Sequence, residues 1–554
     1  MHLNDRYAVP VLLLWLVVIG LFIRIWGLWN YGFSPDEVML ALVPVGDNLS
    51  QVWQSFKDQT NGPFMYGVIY CLMKISYSEL VIRCMSLIPG ALLIMMFFFL
   101  GRTVSGTISG LAMAYMAAFS SGEILVSQLI RPYSLLLFFL TGALWFFFSY
   151  FGTREKKYLY GYSLFAAFSL ITHYPAVICL AAIVIVWLAH SIIQKKPPGE
   201  FANILIYNIP PFIIFGVLYL SQISDWIGGS KLDRFQSLIN QTYYSVLFPQ
   251  TLSGFIQNTY DLFQYLFLPP YGTWLMVLAG AGVVSLWRSS RRSLVVIIFS
   301  TFVINFALAF FKIYPFGESR HSIYLFPMVA VLAGAAVQSG YNCLMNNVIP
   351  FLSKTFSLKI ESLRMQLLFL GITGILVSTF AIAFSYRQSD FLRRSEYTAR
   401  YNEFPLKRAV LEKVFEYLTE HMRPNDIILT DIKTSFYFRY DQLPNQPHFI
   451  TLSWYCSKIA WKGFNYFYIH KYSFDEIEVV IGTLRGIHQH VDLKNFSKVW
   501  LVNIGWGGDE IETLLSKKPE YRFLFHKELS AEAGCIYSVK TEDIIQNVPH
   551  APVH

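Results

Sequence analysis

The stretch "NGPFMYGVIYCLMKI", Asn61 to Ile75, is either a short membrane span or a segment lying at the membrane interface. The choice flips the orientation of everything after it. If the stretch does not cross, one side of the membrane collects Arg102, the Arg154, Lys156 and Lys157 of "TREKK", and Lys195 with Lys196. The same side collects Arg288, Arg291 and Arg292 of "WRSSRR", then Lys354, Lys359 and Arg364. Short loops rich in Lys and Arg are what the positive-inside rule expects of the cytoplasm. If the stretch crossed, every one of those clusters would move outside. Residues 61–75 are therefore read as interfacial or re-entrant, with the N-terminus in the cytoplasm.

Composition independently demands a membrane. Of 554 residues, 55% are hydrophobic and only 14% charged, more apolar surface than a soluble fold of this length can cover. Apolar runs near 8–28, 82–101, 107–121, 132–151, 158–173, 175–193, 203–221, 262–287, 293–312, 322–343 and 365–387 predict about eleven spans, each near the roughly 20 residues a bilayer requires. No small-residue cleavage site follows the first run, so it is read as a retained helix. The fold class is an α-helical polytopic membrane protein with a C-terminal soluble α/β domain. The net charge of +8 is scattered through short loops rather than massed on one face, which argues against nucleic-acid binding.

The tail, 388–554, departs in composition from the membrane domain, 1–387. In "LKRAVLEKVFEYLTEH" the residues Leu406, Val410, Leu411, Val414, Phe415 and Leu418 share one helical stripe. "DIILTD", "KVWLVNIGW" and "CIYSVK" read as short strands. Cys456 and Cys535 can pair if the tail is extracytoplasmic; the other four cysteines lie in apolar or membrane-edge segments and read as packing residues.

With this topology the unusual polar residues gather on the outer side. They are the "SPDE" of loop 30–81, "SQLIRPY", "THYP", loop 222–261, "GESRH" and the tail. Asp36 and Glu37 of "SPDE" are adjacent, so they cannot flank one bond as paired carboxylates do. A site needing one carboxylate fits them. The alternative is that Ser34 caps a short helix with both acids in its first turn. Arg131, just before a proline at a helix start, can grip a phosphate with its planar fork of donors, or can snorkel to the interface. Arg320 and His321 repeat the arrangement at another outward-facing helix start. Two arginines on the same face as a carboxylate resemble a site for an anionic lipid phosphate. His173 interrupts an apolar run, where a lone His is more often a turn residue bonded to backbone than a ligand; Tyr133 either bonds near Arg131 or belongs to the aromatic belt. No His/Cys spacing suits zinc, and there is no nucleotide-binding fingerprint.

In this order, "SPDE", "TNGPFMYGVIYCLMKISYSELVIRCMSLIPG", "GRTVSG", "SQLIRPYSLL", "THYP" and "ESRHSIYLFPMVAVLAG" resemble the C-type integral-membrane glycosyltransferases. The likeness is to the bacterial relatives of protein O-mannosyltransferases and of the lipid A aminoarabinose transferase, and covers roughly residues 8–390. It implies a polyprenyl-phosphate-linked sugar as donor and a lipid, glycan or protein acceptor on the periplasmic face of a bacterial inner membrane. By position, Asp36 is the catalytic carboxylate, and Arg131 and Arg320 contact the donor phosphate. Where relatives carry a basic residue before Pro-Pro, this chain has Asn61-Gly62-Pro63. Where relatives read Gln-Glu-Ala-Arg, it has Gln128-Leu129-Ile130-Arg131, lacking the second carboxylate, for which Glu123 and Asp58 are the substitutes at hand.

The chemistry suits one carboxylate. A polyprenyl phosphate leaves as a phosphate monoester with a second pKa near 6, so it departs without a strong general acid. Asp36 can take the proton of an acceptor hydroxyl while arginines stabilise the leaving phosphate, a displacement that inverts the anomeric carbon. No cofactor or metal is expected, so transfer should survive excess chelator. The alternatives are a flippase of a lipid-linked sugar, disfavoured because no repeated halves occur, and a polysaccharide polymerase or ligase.

Overall fold

The computed structural model describes residues 5–26, 32–44, 61–76, 78–227, 246–289, 291–351, 408–423, 426–431, 465–469, 496–504, 510–531 and 534–547, with a few single positions between them. The chain forms two compact units: residues 1–26 with 46–401, and residues 27–45 with 402–554.

Helix α1 (Asp5–Ile25) opens the first unit, and α2 (Pro35–Leu42) belongs to the second. On α1 the exposed Val11, Leu14, Val18 and Phe22 form one stripe at helical spacing, whereas Leu16, Ile23 and Arg24 are buried. Helix α3 (Pro63–Ile75) is the deciding stretch. Its 13 residues span about 20 Å at 1.5 Å each, well short of the roughly 30 Å of a hydrocarbon core. It packs instead against α4 (Glu79–Val104) and, further along the chain, the helix Lys157–Thr172.

Helix α4 packs against α1, α3, α5 (Thr107–Phe119), α6 (Ser121–Gln128) and α7 (Tyr133–Thr153). The bundle continues with α8 (Lys157–Thr172), α9 (Ala176–Ile193) and α10 (Pro198–Leu218), the last prolonged by a π turn to Ile223. Helices α11 (Leu252–Leu266), α12 (Tyr271–Arg288), α13 (Arg292–Phe310) and α14 (Phe326–Cys343) complete it. Large apolar side chains remain exposed on the outer helices, among them Leu205, Phe212 and Leu220 on α10 and Trp274 and Trp287 on α12. Apolar patches of that extent mark a surface that meets lipid.

Among the described residues six helical segments are long and apolar enough to cross a membrane, and up to eight if each bent pair counts as one span. The chain is a multi-pass membrane protein with a small sheet. Two expected spans are broken. The run 107–121 ends at Phe119, and α6 follows at 55°. The break falls at Ser120, whose hydroxyl accepts from the Glu123 amide and so starts a new helix. The run 262–287 is split into α11 and α12, bent by 113°, because Pro269 and Pro270 have no amide hydrogen to continue the first helix and disfavour helical backbone before them. The expected span 365–387 lies outside the described residues.

In the second unit a five-stranded sheet has the order β2-β1-β3-β5-β4. Its strands are β1 (Ile427–Asp431), β2 (Asn465–Ile469), β3 (Lys498–Ile504), β4 (His526–Ala531) and β5 (Gly534–Lys540). β1 runs parallel to both β2 and β3, whereas β5 is antiparallel to β3 and β4. Three strands fall on the runs expected from sequence, and the predicted helical stripe is the helix α15 (Arg408–His421). Val499, Leu501, Tyr537 and Val539 build its core with Ile427 and Leu429. Cys535 is buried on β5 opposite Asn503; Cys456 lies outside the described residues.

Candidate active site

Four separate segments of the first unit bring polar side chains together. Arg131 and Tyr133 come from the turn joining α6 to α7, which Pro132 closes at a helix start. His173 stands in the break between α8 and α9. Arg320 and His321 begin a 3-10 turn, Arg320–Leu325, that leads into α14. Asn61 and Tyr66 come from the start of α3.

Tyr133 is the hub. Its ring meets His173 edge-on at 5.3 Å between centroids and His321 at 6.1 Å, and its hydroxyl lies 3.4 Å from His321 Nδ1. Arg131 and Arg320 are each only 8% exposed. The charges of both bear on the His173 and His321 rings, and that of Arg131 also on Tyr66. Burial first, and then the two guanidinium charges, hold the His173 imidazole neutral, its pKa well below the usual value. His173 is 6% exposed, and among the described residues neither ring nitrogen has a hydrogen-bond partner. A buried polar group normally finds one, so a ligand able to accept or donate a hydrogen bond would complete this ring.

Each segment is pinned locally. Gly62 caps α3 with its amide on the Thr172 carbonyl at 3.2 Å, and a Cβ there would fall on the Ile171 carbonyl oxygen. Glycine is thus required beside His173. Tyr174 donates to the Asn61 carbonyl at 3.2 Å and also to Gln222, whose amide reaches the carbonyls of Phe56 and Gln59. Gly317 has φ +135°, a backbone that side chains rarely adopt, and its amide donates to Ser322 Oγ at 3.0 Å. Asn258 of α11 holds the same loop by donating to the Phe316 carbonyl at 2.7 Å and the Val246 carbonyl at 2.9 Å. Tyr314 donates to the His321 carbonyl at 3.0 Å. Arg83 and Ser86 of α4 donate to the carbonyls of Gln128 and Arg131.

The acidic motif lies in the second unit, on α2. Ser34 and Glu37 form a reciprocal cap: the Ser34 amide donates to Glu37 Oε2 at 2.8 Å, and the Glu37 amide to Ser34 Oγ at 3.4 Å. Glu37, fully buried, is committed to starting the helix. Asp36 occupies its first turn, with a side chain outside the description, as is the whole of Asp58. Glu123 is not an outer-loop acid. It is fully buried on α6 in an ion pair with Arg24 of α1, which engages the carboxylate offered as a substitute second acid.

Sequence reasoning missed Arg24, Arg83, Tyr66 and Asn258. Arg24 carried a usable signal, a lone charge inside the apolar run 8–28, where a charge costs free energy unless it finds a partner. The others look ordinary in sequence, since only tertiary contact gives them partners. Among the described residues no three His, Cys, Asp or Glu are grouped to hold a metal ion. The charges of two buried guanidinium groups thus act on one buried pair of imidazoles.

No protein-family model matches the chain, and no curated protein matches it. Solved structures do. ArnT from Cupriavidus metallidurans bound to undecaprenyl phosphate is similar with a TM-score of 0.50 at 13% identity, over 97% of this chain and 99% of that one. The same protein in the apo state gives 0.49 at 14%, over 95% and 97%. An Archaeoglobus fulgidus oligosaccharyltransferase tethered with an acceptor peptide gives 0.45 at 14%, over 79% of this chain and 63% of that one. The chain therefore spans about two thirds of the archaeal enzyme and nearly all of ArnT. At such identities the likeness is one of fold, and in fold the chain is like the C-type (GT-C) integral-membrane glycosyltransferases.

Proposed function

We propose that the protein transfers a sugar from a polyprenyl-phosphate-linked donor to a lipid, glycan or protein acceptor on the extracytoplasmic face, inverting the anomeric carbon. The observation that carries this reading is the buried convergence of Arg131 and Arg320 on His173, His321 and Tyr133. Such an arrangement suits the phosphate of a lipid donor. About eleven spans with the N-terminus inside, each near 20 residues, would set these residues and the tail on the periplasmic side of a bacterial inner membrane.

Asp36 takes the role of base on the sequence pattern, because the cap engages Glu37. Its carboxylate accepts the acceptor hydroxyl's proton as the new oxygen–carbon bond forms at the anomeric carbon. The bond from that carbon to the phosphate oxygen breaks, and its electron pair leaves on the polyprenyl phosphate. Arg131 and Arg320 stabilise the charge developing there, and a neutral His173 can donate a hydrogen bond to it.

The flippase reading gains one observation, since broken spans are common in transporters. Here the two breaks close on one another: Ser120 Oγ donates to the Leu266 carbonyl at 2.8 Å and Ser121 Oγ to the Tyr265 carbonyl at 3.0 Å. Saturated breaks favour a fixed catalytic scaffold. The test is turnover by the purified protein in lipid discs supplied with polyprenyl-phosphate sugars and a crude envelope acceptor. Release of free polyprenyl phosphate with an inverted product linkage is expected; movement of intact donor between leaflets without release would establish the flippase.

A further inference from the structure

We infer that Arg24 and Glu123 are positioning residues that fix the segment carrying Arg131, an inference that rests on the donor-phosphate reading above. Both side chains are completely buried. Both terminal nitrogens of the Arg24 guanidinium are engaged. One terminal nitrogen donates to the Gly20 carbonyl at 2.8 Å and the Ala118 carbonyl at 3.1 Å; the other donates to the Ala117 carbonyl at 2.7 Å and meets the Glu123 carboxylate.

Ala117 and Ala118 sit in the last turn of α5, whose carbonyls the break at Ser120 deprives of helical partners. Glu123 lies in the first turn of α6, where a negative charge is favoured. One arginine therefore holds both sides of the 55° break. The hold extends toward the site, because the Gln128 side-chain amide donates to the Arg24 carbonyl at 2.9 Å. From Gln128 the chain runs directly to Arg131, whose carbonyl Ser86 holds at 3.3 Å. Gly90 of α4 belongs to the same contact, for a Cβ there would stand 2.6 Å from Ser127 Cβ and 3.1 Å from Glu123 Oε1.

A buried ion pair is a poor way to gain stability, since well-packed apolar residues of similar volume are often as good or better, whereas deleting one partner leaves a stranded charge. What an apolar pair cannot do is satisfy two carbonyls and set the angle of α6. The pair is thus explained by geometry rather than by stability, and its consequence falls on Arg131.

The double variant Arg24→Met/Glu123→Leu removes both charges together. Its thermal unfolding should stay within a few degrees of wild type, while its affinity for undecaprenyl phosphate in detergent micelles falls at least 10-fold. In an Arg131→Ala background the same double substitution should have no further effect on binding, because both changes act through one guanidinium. Gln128→Leu, which keeps the ion pair, should weaken binding several-fold and serves if the double variant fails to fold. Wild-type affinity in the double variant, or in Gln128→Leu, would overturn the inference. Failure of the wild-type protein to bind undecaprenyl phosphate at all would instead overturn the donor reading on which it rests.

Discussion

Asp36→Asn and Glu37→Gln are expected to separate two roles that the "SPDE" motif combines. A general base contributes typically about 10²–10⁴-fold, so Asp36→Asn should lower turnover at least 100-fold at normal membrane levels. Glutamine can fill the same place in a capping box as glutamate, so Glu37→Gln should keep most activity. Glu37→Ala should lower stability by about 1 kcal/mol through loss of the cap. Thermal unfolding and turnover of the three variants check both statements. At the phosphate, Arg131→Lys keeps the charge and loses the fork. Hydrogen bonds to charged groups are worth about 1.5–3 kcal/mol, so this change should cost roughly 10- to 100-fold in donor affinity, measurable by titration with undecaprenyl phosphate. The candidate residues Arg131, Arg320, His173 and Tyr133 were legible singly, as polar residues at membrane edges. Their meeting was not, because nothing in the chain order brings 131, 173 and 320 together.

Among the elements, the short helix α3 shows how much one glycine decides. Gly62 touches the Ile171 carbonyl oxygen, whereas Gly67, five positions on, has nothing within 4 Å of where a Cβ would be. Gly62→Ala should therefore displace α3 from the end of α8 and destabilise the protein by about 1–3 kcal/mol, the usual range for overpacking. Gly67→Ala should be neutral or slightly stabilising, since alanine is the better helix former. Comparing the two unfolding temperatures removes any general effect of alanine in this helix. Elements with strong patterning were readable: the stripe of α15, the β-branched runs of β1 and β3, and the long apolar helices. The bends were not read. Ser120 and the Pro269-Pro270 pair lie within apolar runs whose hydropathy is continuous, and hydropathy carries no information on direction. Both signals were present as cap and breaker residues and were outweighed by length.

For the whole molecule, the basic loops predict a fixed orientation. Cysteines placed at Lys156 and at Lys518, in a background whose native cysteines are replaced by serine, should label oppositely with a membrane-impermeant maleimide. Lys518→Cys should react in intact spheroplasts and Lys156→Cys only after permeabilisation. The reverse pattern would move the tail to the cytoplasm and remove the extracytoplasmic acceptor. An orientation can be predicted from sequence because it follows from charge counts in short loops; which sugar and which acceptor are used cannot, since those depend on side-chain contacts that no spacing encodes.

The central claim, sugar transfer from a polyprenyl-phosphate donor with Asp36 as base, is tested most directly by mass spectrometry of lipid extracts from native-host cells. Wild type, a deletion, and an Asp36→Asn variant present at normal membrane levels are compared. The account predicts that a polyprenyl-phosphate sugar accumulates in both mutants, its mass naming the donor. Accumulation in neither would contradict the transfer reaction, and accumulation in the deletion alone would contradict the role of Asp36.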